Sequence, residues 1–65
     1  MRIRVNGEPI EIEAPTLEKL LEELGYGDKT VATAVNQSFV RNKDRSEILL
    51  VEEDAVEIVT PRQGG

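Results

Sequence analysis

Arg2-Ile3-Arg4-Val5-Asn6-Gly7-Glu8-Pro9-Ile10-Glu11-Ile12-Glu13 runs directly into Ala14-Pro15-Thr16-Leu17-Glu18-Lys19-Leu20-Leu21-Glu22-Glu23-Leu24-Gly25, and between the two the hydrophobic period changes. In the first stretch charged and apolar residues alternate, the period of a half-buried strand, with Ile3 and Val5 on the inner face. Asn6-Gly7 interrupts it. A type I′ turn needs positive φ at both central residues, and Asn-Gly is the pair that tolerates this best. Glu8 to Glu13 then reads as the returning strand, with Ile10 and Ile12 inward and Glu11 and Glu13 in water. Pro9 cannot donate to a ladder, which places it at a strand start or on an open edge. In the second stretch Leu17, Leu20, Leu21 and Leu24 fall at i, i+3, i+4 and i+7, one apolar stripe of an amphipathic helix. Thr16 is its N-cap, Glu18 faces the positive end of the helix dipole, and Gly25 is the C′ stop. About nine residues of helix do not persist alone and need a sheet to cover.

The rest of the chain supplies that sheet. Thr30 to Val35 is β-branched and alanine-rich and reads as a central strand after the turn Tyr26-Gly27-Asp28, with Tyr26 a lid at the edge of the core. Asn36-Gln37-Ser38 turns the chain into the short apolar piece Phe39-Val40. Arg41 to Ser46 is polar and reads as loop. Ile48 to Val51 reads either as a short strand or as a 3₁₀ turn plugging the core. Glu52-Glu53-Asp54 is a turn of solvated acids. Ala55 to Thr60 is the last strand, with Val56 and Ile58 inward and Val59 therefore outward. A right-handed crossover through the helix sets later strands parallel to the opening hairpin. The expected fold is α+β: a mixed four- to five-stranded sheet covered on one face by one helix, in the order of the β-grasp (ubiquitin-like) roll. Residues 1–60 form a single domain and residues 61–65 a flexible tail.

Composition narrows the function. There is no Cys and no His among the 65 residues, which excludes disulfides, thiolate metal sites, cysteine nucleophiles and histidine acid–base chemistry. Thirteen acidic residues against eight basic give a net charge of −5, opposed to the positive footprint of nucleic-acid binding and suited to docking on a basic protein surface. No apolar run approaches a membrane span, and Met1 to Val5 enters alternation without a secretory leader. The expectations are no nucleic acid, no membrane and a cytoplasmic protein. Adjacent acids at Glu22-Glu23 point apart on a helix and make no catalytic pair. Gly25 and Gly27 are not followed by a helix and so form no phosphate loop.

What remains is the end of the chain, Pro61-Arg62-Gln63-Gly64-Gly65. Two residues without a Cβ make the narrowest and most permissive peptide there is, able to enter a slit that any side chain would block. Pro61 halts the strand and holds Thr60 extended. At roughly 3.3 Å per residue the five residues span about 16 Å. A frayed end is the plain alternative.

Met1-Arg2-Ile3-Arg4-Val5-Asn6-Gly7-Glu8, Thr16-Leu17, Val31-Ala32-Thr33-Ala34-Val35-Asn36, Phe39-Val40, Glu57-Ile58-Val59 and Pro61-Arg62-Gln63-Gly64-Gly65, in that order, resemble the sulfur carriers of the thiamine pathway, the ThiS family. The sequence departs from the family pattern at Glu53, where glycine is usual between two acids, and at Arg41, where proline is frequent. The resemblance implies that Gly65 is the site of covalent modification. A ubiquitin-activating-type adenylyltransferase would use ATP and Mg to make its acyl-adenylate. A persulfide sulfur donor would convert that to a thiocarboxylate, and thiazole synthase would take up the sulfur. Gly64 would thread the tail into the partners' active sites, and Val59, Arg62 and Gln63 are candidate partner contacts. The carrier itself would bind no cofactor and would not be an enzyme. Two further readings stand beside this one: a carrier of the same fold for another pathway (molybdopterin synthase, tRNA thiolation or cysteine synthesis), and a ubiquitin-like interaction module that is never activated. An RNA-binding β-grasp domain is disfavoured by the charge and by only 3% aromatic residues.

Overall fold

The computed structural model of the chain describes residues 1–61. β1 (Arg2–Val5) and β2 (Glu8–Glu11) pair antiparallel with Val5 opposite Glu8, so Asn6 and Gly7 alone make the turn. Their φ values, 52° and 85°, are both positive, as the type I′ reading requires. Strand β2 is shorter than expected. Past Glu11 the pairing continues only through Met1 and Ile12, which exchange two 2.9 Å bonds between the N-terminal amine, the Ile12 N–H and the two carbonyls.

The helix α1 (Leu17–Glu23) has seven residues, two fewer than the leucine spacing suggests, because Leu24 already serves as its C-cap. Thr16 Oγ1 accepts from the Lys19 N–H at 3.2 Å, and Gly25 follows at φ 91°. Leu17, Leu20 and Leu21 are buried, and Leu24 and Tyr26 pack partly against the same core. They meet Ile3, Val56 and Ile58 from the inner face of the sheet.

β3 (Ala32–Val35) and β4 (Ser38–Val40) form a second antiparallel hairpin, and β5 (Ala55–Val59) completes a five-stranded sheet in the order β2-β1-β5-β3-β4. The central strand is therefore β5, not β3. β5 pairs parallel with β1, while β3 is antiparallel to β5 and β4 antiparallel to β3, so of the later strands β5 and β4 run in the direction of β1 and β3 runs against it. This is the β-grasp arrangement.

Three further readings are corrected. Arg41 to Ser46, expected as loop, lies largely in a 3₁₀ helix, Asn42–Glu47; Arg45 secures it by donating to the Val31 carbonyl (2.7 Å) and to Thr33 Oγ1 (3.2 Å). Ile48 to Val51 is neither strand nor 3₁₀ turn: Leu49 makes an isolated bridge to Thr16 and Leu50 is buried. Asp54 is not a solvated turn acid. It is 8% exposed, with Oδ1 accepting from Asn36 Nδ2 (2.9 Å) and Oδ2 from the Val51 N–H (2.8 Å).

Candidate functional site

The alternation along β5 divides its side chains between two faces. Val56 and Ile58 enter the core, while Ala55, Glu57 and Val59 face away from the helix. Register carries that division across the sheet. Ala32 lies opposite Val59, Ala34 opposite Glu57, and Phe39 opposite Ala34. The two alanines leave a shallow apolar depression walled by Phe39 and Val59, which are 70% and 60% exposed. Across the same face, the β1–β2 half is charged: Arg2 pairs with Glu11 at 3.6 Å, and Arg4 is exposed. The uncovered side of the sheet is thus apolar at the β3–β4–β5 end and ionic at the other.

Val59 stands where alternation put it, on the outer face at the last position of β5, followed by exposed Thr60 and Pro61. Arg62, Gln63, Gly64 and Gly65 lie outside the described residues. The reading of the sequence missed Phe39 as Val59's companion, although alternation of Phe39 against buried Val40, with Ala32 and Ala34 flanking buried Thr33, carries the signal. It also missed two asparagines. Asn6 Oδ1 accepts from the Ile58 N–H (2.8 Å) while its Nδ2 donates to the Ile58 carbonyl (3.1 Å). Asn36 Oδ1 accepts from the Ala55 N–H at 3.0 Å. Among the described residues no three carboxylates are gathered so as to hold a metal ion, and no helix is long and apolar enough to cross a membrane. What this surface can do chemically is dock a partner: an exposed aromatic and an exposed valine, flanked by Glu57, on a molecule of net charge −5, suit an apolar surface with a basic rim.

The model of the ThiS family matches residues 3–65. The sulfur carrier protein ThiS of Thermus thermophilus is 38% identical over 61 residues, 94% of this chain and 95% of that protein. A thiazole synthase of Magnetococcus marinus is 39% identical over 66 aligned positions; these take in 100% of this chain but 20% of that protein, so the chain spans about a fifth of its length. The crystal structure of a thiamine biosynthesis protein (ThiS) from Geobacter metallireducens superposes with a TM-score of 0.81 at 26% identity, each chain covered in full. A solution structure of a thiamine biosynthesis protein from the same organism gives 0.80 at 23% identity over 100% of this chain and 88% of that one, a likeness of fold.

Proposed function

The chain belongs to the ThiS family, the sulfur carrier proteins of thiamine biosynthesis, and we propose that the Gly65 carboxylate is the group that carries the sulfur. A free carboxylate is a poor electrophile, because attack must place more charge on an anionic group. An adenylyltransferase of the ubiquitin-activating type transfers AMP from Mg-bound ATP to Gly65, releasing pyrophosphate and giving an acyl-adenylate with a good leaving group. The terminal sulfur of a protein persulfide attacks the acyl carbon and expels AMP; a second thiol cleaves the resulting acyl disulfide, leaving the thiocarboxylate and a protein disulfide. The thiocarboxylate sulfur is a competent nucleophile for thiazole formation, and the likeness to a segment of a thiazole synthase supports that enzyme as acceptor. Gly64 lets the end enter both active sites, and Arg62 and Gln63 steady it there. The carrier contributes no catalytic group. Dependence on ATP makes the cytoplasm the proposed compartment.

The observation that supports this reading best is the apolar depression of Ala32, Ala34, Phe39 and Val59. It adjoins the end of β5, so a partner seated on it meets the chain where Pro61-Arg62-Gln63-Gly64-Gly65 begins. The test is intact mass after co-expression with the adenylyltransferase and a sulfur source. The full chain is expected to gain the mass difference between sulfur and oxygen, and the chain lacking Gly65 to gain nothing. An unchanged full-length mass, or a gain that survives loss of Gly65, overturns the proposal.

A further inference from the structure

β1 and β5 run parallel, yet β1 stops short of the strand that it supports. Val5 lies opposite Val56, the Asn6 N–H donates to the Val56 carbonyl at 2.9 Å, and the main chain then leaves at the Asn6-Gly7 turn. On that edge Ile58 has no strand residue to pair with. The side chain of Asn6 takes the place of one. A carboxamide presents an acceptor and a donor side by side, as a peptide group does, and both are used, the Oδ1 on the Ile58 N–H and the Nδ2 on the Ile58 carbonyl. On its other edge β5 is paired through Ile58 opposite Thr33 and Val59 opposite Ala32. With Asn6 in place β5 is held on both edges as far as Ile58; without it, only as far as Val56.

The difference is support on one edge: on the other, Ala32 pairs with Val59 whether or not Asn6 is there. From Val59, the last paired residue, to Gly65 is six positions, about 20 Å at roughly 3.3 Å each. A strand end held on one edge frays more readily than one held on both, and order lost there must be restored when the C-terminal glycine is delivered to a site of fixed position. We propose that Asn6 is a positioning residue: it steadies the end of β5 from which the C-terminal segment departs, and so the orientation with which Gly65 is presented for adenylation. The delivery part rests on the function proposed above.

The test uses the full chain with Asn6→Gly, which tolerates the positive φ but removes both bonds, and Asn6→Asp, which keeps the acceptor for the Ile58 N–H and loses the donor. Amide hydrogen exchange is expected to quicken at Ile58 by roughly tenfold or more in Asn6→Gly, with Ile3 and Thr33 unchanged, and to stay near the parent rate at Ile58 in Asn6→Asp. An unchanged Ile58, or equal quickening at Ile3 and Thr33, overturns the positioning role. In ATP–pyrophosphate exchange with the adenylyltransferase, kcat is expected to fall roughly tenfold in Asn6→Gly while KM for the carrier moves less than about twofold, since the docking face is intact. Asn6→Asp should recover part of the loss. An unchanged kcat, or a loss confined to KM, overturns the delivery role. Absence of pyrophosphate exchange with the parent chain overturns the adenylation reading instead, and the amide rates at Ile58 still decide whether Asn6 steadies the end of β5.

Discussion

The two hairpins turn on nearly the same backbone with different second residues. Asn6-Gly7 has φ values of 52° and 85°, and Asn36-Gln37 has 50° and 73°. In each, asparagine does two things: it tolerates the left-handed conformation, and its side chain reaches across to β5. Topology explains why one turn serves each end of that strand. β1 runs with β5, so the turn after β1 falls beside the end of β5; β3 runs against it, so the turn after β3 falls beside its start. Asn36 accordingly exchanges bonds with Ala55 and Asp54, and Asn6 with Ile58. The central strand is pinned at both extremes by side chains that imitate peptide groups.

The two pins differ in what stands behind them, and that difference yields the largest expected effect. Both bond to the main chain of β5, but Asn36 is also backed by Asp54, a buried carboxylate. Asp54→Ala leaves both the Asn36 Nδ2 and the Val51 N–H without a partner, which should lower stability by about 2–3 kcal/mol in urea unfolding. Amide exchange should quicken at Ala55 and not at Ile58. Equal quickening at both would mean that the two ends of β5 are one cooperative unit, and the comparison between them would fail.

Next in size is Gly7→Ala. An added Cβ would meet nothing within 4 Å, so the whole cost is that of a left-handed φ, about 1–2 kcal/mol. A neutral result by urea unfolding would show that the first turn is not held in this conformation in solution.

The same contrast explains how much of the molecule the sequence discloses. Asn6-Gly7 names its own turn because glycine advertises positive φ, and Thr16, the leucine stripe and Gly25 name the helix because each satisfies a local backbone or packing need. Alternation in Ala55 to Val59 sorts the faces of β5 and puts Val59 outside. Asn36-Gln37 gives no comparable signal for a two-residue turn, since glutamine has no special tolerance and is held there by the pairing of Val35 with Ser38. Glu53, at φ 73° where the family usually has glycine, is another such position. The 3₁₀ segment was illegible because Arg45, which secures it, acts on Val31 and Thr33, residues distant in the chain. Asp54 looks like any acid in a turn until the fold closes over it. The apolar depression emerges only when register sets Phe39, Ala34, Ala32 and Val59 on one face; nothing local joins them.

The smallest effect is also the one that asks whether the second turn needs its glutamine at all. Gln37→Gly makes the two turns alike in sequence. Removing the Cβ relieves a left-handed conformation, a gain of about 1 kcal/mol, while glycine's greater freedom in the unfolded chain takes back roughly half of it or more. The expected sum is a stabilisation of about 0.5 kcal/mol or less, read as a small rise in Tm with the denaturant slope unchanged. Its sign is what matters. A rise means that the second turn keeps its shape against local preference because Asn36 and Asp54 hold it. A fall means that the exposed Gln37 side chain contributes to the turn itself, and the two hairpins then owe their common backbone to different causes.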